Sequence, residues 1–271
     1  MIRLMRAGDI GAAMRLKQAA GWNQNDEDWA NVLALEPEGC WVGERQGEVV
    51  ASTTAVCYGR DLAWIGMVLV KPEFRGRGLA RGLMEHCLDW LEARGVRQVK
   101  LDATSMGRPL YEKLGFRDER MIERWFCAGG GRASVPASHL PLDPIASLDR
   151  ESFGADRTRL MARLLEVFPG QGAWEADGFV LGRPGSNSYF MGPCAAREPE
   201  AARRLISALV ERTSASSFFW DLFPDVPAAL EVARSLGFER QRELVRMSLR
   251  PEAEPAGRPE QVFAGAGFEY G

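Results

Sequence analysis

The chain has few of the side chains on which metal and nucleophile chemistry is usually built. Two histidines occur in 271 residues, His86 and His139, too few for a multi-histidine metal site and poor material for a His-based triad. Five cysteines (Cys40, Cys57, Cys87, Cys127, Cys194) are scattered, odd in number and never in C-x-x-C spacing. That pattern argues against disulfides and zinc, so no metal is expected and the thiols read as reduced core residues of a cytoplasmic protein. No apolar run reaches the roughly 18 to 20 residues of a membrane span, and the first residues, Met1 to Arg6, lack the apolar core of a secretory signal. Positive charge is not in excess, with 34 Lys and Arg against 37 Asp and Glu. Neither nucleic acid nor a membrane surface is therefore the expected partner.

What is present is an ordinary globular balance, 46% hydrophobic and 26% charged, which predicts a folded chain. The length suits two domains of about 130 residues each. A stretch opening on Gly129-Gly130-Gly131 and rich in Pro and Ser separates them. The expected organisation is a first domain over 1–127, a linker over 128–147, a second domain over 148–250, and a loose tail over 251–271 rich in Pro, Gly and Glu.

Periodicity predicts an early helix over 9–20 with Asp9 as its cap, then a polar turn at 21–25. Strands follow at 40–44, 49–54 and 63–70, separated by Gln46-Gly47 and Gly59-Arg60. Apolar residues then recur four apart from Leu79 to Leu91 until Gly95, a helix. A strand over 96–103 and a short helix over 110–114, opened by Pro109 and closed by Gly115, complete the first half. The second half repeats this order faintly: Leu236-Gly237-Phe238 echoes Leu114-Gly115-Phe116, each after an apolar-rich helix. The repeat reads as a tandem duplication.

The informative segment is Val70-Lys71-Pro72-Glu73-Phe74-Arg75-Gly76-Arg77-Gly78-Leu79-Ala80, a Gly-rich turn running from a buried strand into a helix. Unpaired NH groups of a helix's first turn attract anions, glycines let a phosphate approach closely, and Arg75 and Arg77 add charge. A dinucleotide fold would want a third glycine where Arg81 stands, and a P-loop would want Gly-Lys-Ser/Thr, which is missing.

The segment resembles the central motif of the GNAT acetyltransferase superfamily, Arg/Gln-x-x-Gly-x-Gly/Ala, matched by Arg75, Gly78 and Ala80. Downstream, Leu110-Tyr111-Glu112-Lys113-Leu114-Gly115-Phe116 resembles the family's second signature, a Tyr four residues before Gly-Phe. The whole chain is similar to bacterial members that carry a second, degenerate GNAT-like domain. The resemblance implies an α/β (α+β) fold of two tandem domains, each a twisted, mixed, mainly antiparallel sheet flanked by helices.

The resemblance further implies acetyl-CoA as co-substrate, with pantetheine along Met67, Val68, Leu69 and Val70, diphosphate at Arg75, Gly76, Arg77, Gly78, Leu79 and Ala80, and a polar contact from Thr104. It implies Tyr111 beside the sulfur as general acid, and Trp22, Asn23 and Asn25 bordering the acceptor. In the second half Ala233 stands where the tyrosine would be, and Arg197 to Glu200 replace the Gly-rich turn, so that copy is expected to lack chemistry of its own.

The expected activity is acetyl transfer to a primary amine of a small molecule or peptide by direct attack; the alternative is a CoA-binding sensor without turnover. Some relatives keep a strand Glu as base, but counting back eleven from Arg75 gives Trp64. The base stays open among Asp102 and a water chain to Glu27, Asp28 or Asp221, the last also a candidate acceptor contact. A homodimer is left open.

Overall fold

The computed structural model describes residues 1–129, 140–251 and 257–271. The first half runs β1 (Ile2–Leu4), α1 (Ile10–Ala19), α2 (Asp26–Leu35), β2 (Cys40–Arg45), β3 (Glu48–Tyr58), β4 (Leu62–Val70), α3 (Leu79–Ala93), β5 (Gln98–Ala103), α4 (Arg108–Lys113) and β6 (Arg117–Ala128). The second half repeats the order from α1 onward: α5 (Leu142–Phe153), α6 (Thr158–Val167), β7 (Gly172–Glu175), β8 (Gly178–Arg183), β9 (Tyr189–Ala196), α7 (Pro199–Arg212), β10 (Ser217–Leu222), α8 (Pro227–Ser235) and β11 (Glu239–Leu249). A last strand, β12 (Val262–Ala264), follows.

Local chemistry accounts for most of these elements. In α3 the buried side chains are Leu83, Met84, Cys87 and Leu91, one face of a helix that turns its charged residues outward. The β2–β3 hairpin turns on Gln46 and Gly47, both at positive φ, as a tight two-residue loop requires. The helix α2, absent from the sequence reading, starts at a capping box. Asn25 accepts from the Asp28 NH while the Asp28 carboxylate accepts from the Asn25 NH. Asp9, expected to cap α1, instead binds Arg3 and the Arg6 NH.

The twelve strands of the described residues share one sheet, ordered β1-β2-β3-β4-β5-β11-β6-β10-β9-β8-β7, with β12 on β9. The sheet is mainly antiparallel; the parallel pairs are β4 with β5 and β9 with β10. The two halves exchange their last strands. The second half's β11 pairs with β5 and the first half's β6 pairs with β10, while β6 and β11 run antiparallel to each other between them.

Two buried ion pairs sit where the exchanged strands meet. Register partners Asp102 and Arg246 join β5 to β11, and register partners Asp221 and Arg124 join β10 to β6. Each half thus contributes the same aspartate, one residue before the last residue of its strand, to an arginine from the other half.

Two differences from the sequence reading matter for the site. The span 128–147 is not all linker, since β6 runs to Ala128 and α5 begins at Leu142; residues 130–139 lie outside the described residues. Residues 252–256 of the expected tail also lie outside them. The rest of the tail is not loose: Phe263, Ala264, Ala266 and Tyr270 are buried, because β12 supplies backbone pairing and the chain beyond it crosses under β4. There the Trp64 indole NH donates to the Phe268 carbonyl, the Tyr58 hydroxyl to the Tyr270 carbonyl, and Arg157 to the Gly271 carbonyl.

Candidate active site

The strands β4 and β5 pair only from Leu62↔Gln98 to Trp64↔Lys100, although β4 continues to Val70 and β5 to Ala103. They diverge beyond that point. The departure coincides with a kink in β4, where Met67 takes a positive φ of 51°, the register with β3 shifts, and the Ser52 hydroxyl donates to the Met67 carbonyl at 2.8 Å. Past the kink, Leu69 and Val70 still pair with β3 on one side. On the other side β5 is gone, and the backbone edge faces open space.

Directly beyond lies the Gly-rich turn. Gly76 and Gly78 hold φ of +72° and +77°, a conformation that favours glycine, and Gly78 is the N-cap of α3. No side chain caps that end, so the first NH groups of a 15-residue helix stay unpaired, as an anion site needs. Arg75 folds back to donate to the Val70 carbonyl at 3.2 Å.

The divergence opens a cavity of about 660 Å³. Its lining includes Met67, Val68, Leu69, Val70, Arg75, Gly76, Gly78, Leu79, Ala80, Thr104 and Tyr111, so the residues expected around a donor converge on one space. Arg77 does not line it and lies over the Phe74 ring instead, 5.3 Å from its centroid. The Thr104 hydroxyl accepts from the Gly107 NH at 3.2 Å, which ties it to the start of α4.

Tyr111, on α4, is 8% exposed, and its hydroxyl makes no hydrogen bond among the described residues. Burial pushes the phenol above its ordinary value, so it carries its proton throughout the neutral range.

Of the acceptor-side expectations, Trp22 alone lines the cavity. Asn23 is buried in stitching the α1–α2 loop to the second half: its amide donates to the Ser188 carbonyl, and its oxygen accepts from the NH groups of Asn187 and Ser188. Asn25 caps α2 and donates to the Pro184 carbonyl. Asp221 is fully buried in two 2.7 Å bonds with Arg124. These three are occupied away from the cavity, because the second half packs against the very loop that a lone domain would leave open.

Among the open candidates for a base, Glu27 is exposed at the start of α2 and Asp28 is buried against Arg183. Asp102 lines the cavity, but its carboxylate is 1% exposed and held by Arg246 at 2.9 Å. Burial raises its pKa while Arg246 pulls the other way.

The sequence reading missed four lining residues that come from the other half: Arg242 and Leu244 on β11, and Phe268 and Glu269 on the tail. Glu269 lies directly against β4, where a Cβ on Gly66 would come within 2.8 Å of its Cα. Its carboxylate is bound by Arg183 at 2.5 Å and Gln24 at 2.7 Å. Burial, with Asp28 adding to it, raises its pKa against the pull of Arg183. Burial, followed by repulsion from Arg124, pushes Arg242 down to about 10. No local pattern announces these residues; Glu269 stands in a tail without periodicity and Arg242 in a strand of alternating charge.

Comparison with known proteins agrees with this architecture. Residues 13–116 match the model of the acetyltransferase (GNAT) family, and residues 145–264 match a second model, an acetyltransferase (GNAT) domain. An uncharacterized N-acetyltransferase of Bacillus subtilis is 24% identical over 58% of this chain and 57% of its own length. The ribosomal protein bS18-alanine N-acetyltransferase of Escherichia coli is 32% identical over 30% of this chain and 57% of its own. The chain thus spans little more than half the length of these curated relatives. A crystal structure from Pyrococcus horikoshii shares the fold over 100% of this chain and 95% of its own, with a TM-score of 0.86 at 21% identity. A GCN5-related N-acetyltransferase from Sphaerobacter thermophilus follows over 92% and 94%, with a TM-score of 0.66 at 18% identity.

Proposed function

Because the chain belongs to the GNAT acetyltransferase superfamily and carries two GNAT domains in tandem, we propose that it transfers an acetyl group from acetyl-CoA to a primary amine, using a single donor site in the first half. The observation that carries this reading is the convergence, on one cavity, of the unpaired edge of β4, the glycine-built N-terminus of α3 and Tyr111. The edge from Val68 to Val70 suits pantetheine as an added strand, and the NH groups at Leu79 and Ala80 suit the diphosphate.

The second half lacks these parts. Between β9 and α7 it has two residues in place of the turn, and β12 pairs with β9 at Ala195 and Cys194, with its own chain occupying the edge that is free in β4. Two relatives similar to this chain are named for amine acceptors of different kinds, a protein alanine and glucosamine 6-phosphate, which supports the amine as the reacting group and leaves its carrier to the cavity.

In this mechanism the acceptor enters as the free amine, and its nitrogen attacks the thioester carbonyl carbon as the C–S bond breaks. Tyr111 donates its hydroxyl proton to the departing sulfur, and the attacking nitrogen sheds one proton. Two buried carboxylates line the cavity, Asp102 held by Arg246 and Glu269 held by Arg183 and Gln24, and Glu269, which lies against β4, is our candidate to take it. Return of that proton to the Tyr111 phenolate through solvent balances the cycle, leaving an amide and free CoA thiol.

Thiol release from acetyl-CoA in the presence of an amine panel is the test. An active amine should be found, and Tyr111→Phe should lower kcat at least about tenfold while leaving the KM for acetyl-CoA within about threefold. Because burial raises the Tyr111 pKa, the wild-type rate should hold on the alkaline side to about pH 10. CoA binding without thiol release from any amine would favour a sensor, and a rate insensitive to Tyr111→Phe would remove the phenol from the chemistry.

A further inference from the structure

Desolvated charges are ordinarily met by partners, because leaving one unpaired is costly. In this cavity Asp102 has Arg246, and the neighbouring Asp221 has Arg124 in two bonds of 2.7 Å. Arg242 is different. It is half-buried and lines the cavity, yet its guanidinium makes no hydrogen bond or ion pair among the described residues, and its Nε is shielded from solvent without a partner. The Phe268 ring, 5.5 Å from its Cζ, supports the group without neutralising it. Arg124 cannot help, being of the same sign and paired with Asp221.

Acceptor groups, those of Glu269 and Gln24, lie on the tail side of the same cavity. Glu269 and Asp28 share the one guanidinium of Arg183, at 2.5 and 2.8 Å, and the buried Lys17 lies in the field of Asp28. Gln24, whose amide binds Glu269, keeps a buried Oε1 with no partner. One cavity therefore holds an unmet cationic fork and, across from it, a carboxylate beside an acceptor oxygen without a partner.

We propose that the acceptor is a small amine that also carries an anionic oxyacid group, a carboxylate or a phosphate, which the Arg242 guanidinium receives while the amine lies toward Glu269 and Gln24. A guanidinium fork matches either anion through paired N–H bonds, and a neutral amine would leave it unmet. The proposal rests on the transferase reading and divides its labour. The first half binds the donor, and Arg242, carried on the exchanged strand, selects the acceptor.

The test uses CoA-loaded full-length protein titrated calorimetrically with two matched pairs, alanine against alaninamide and phosphoethanolamine against ethanolamine. The anionic member of at least one pair should bind at least about tenfold more tightly than its neutral partner, and the pair that does so identifies the anion. Arg242→Met should abolish that gap with the Kd for CoA unchanged, and Arg242→Lys, which keeps the charge but loses the fork, should restore part of it. Equal binding within both pairs, no heat from either, or a gap that survives in Arg242→Met would overturn the proposal. A CoA affinity weakened by Arg242→Met would do so as well, assigning the residue to the donor. Failure of the transferase reading would appear separately, as wild-type protein that does not load CoA or that loads it yet releases no thiol from acetyl-CoA with any amine.

Discussion

At the scale of single residues, a position's part in the site depends on what already holds its polar atoms. Asp221 carries the right group for acceptor chemistry, but both its oxygens are engaged by Arg124 in the interior. It is there to pin one strand register, as Asp102 does for the other. Removing one partner of a buried pair strands the other charge, so Asp221→Ala should lower unfolding stability by about 3 to 5 kcal/mol in denaturant titration, with CoA affinity retained in the folded fraction. A loss under about 1 kcal/mol would show that the pair does not hold β6 to β10. The residues recognisable in the sequence, Tyr111 and the glycines of the turn, are those whose neighbours in the chain are also their neighbours in the site. Arg242, Glu269 and Gln24 lie far apart in the chain, and nothing local distinguishes them from solvated charges.

At the scale of elements, legibility followed the source of each element's stability. The helix α3 was readable because its apolar spacing and terminal glycines are local, and β2, β3 and β4 because their apolar runs are bounded by turns. The helix α2 was hidden in a short polar segment whose capping box needs only Asn25 and Asp28. The burial of the tail has no local signal, because Phe263 is covered in the core of the second half and Tyr270 between the two halves, neither through a pattern of its own. Phe263 is 1% exposed, and its carbonyl accepts from the Trp220 indole at 2.8 Å. Phe263→Ala should therefore destabilise the protein by about 3 to 5 kcal/mol in thermal or urea unfolding. A change below about 1 kcal/mol would mean that the tail adds little to the fold. Should the tail be loosened without global unfolding, amine turnover should fall along with it, since Glu269 is carried on the same segment.

At the scale of the whole molecule, the two GNAT domains share one plan and differ at a strand edge. Both halves keep the strand order, the diverging central strands and the aspartate at the exchange, yet one half leaves its strand edge open and the other closes it with β12. Strand exchange makes the halves inseparable, because each sheet would lose an interior strand if the other half were removed. That dependence ties the second half to the first, to whose cavity it supplies Arg242, Leu244, Phe268 and Glu269.

The central claim is a single donor site, built on the Gly-rich turn of the first half, and calorimetric titration of the full-length chain with CoA tests it most directly. The account predicts one CoA per chain, lost in Gly78→Glu, where a side chain would face strain at a φ of +77° and its carboxylate would repel the diphosphate. Two equivalents per chain, or one equivalent that survives Gly78→Glu unchanged, would contradict it.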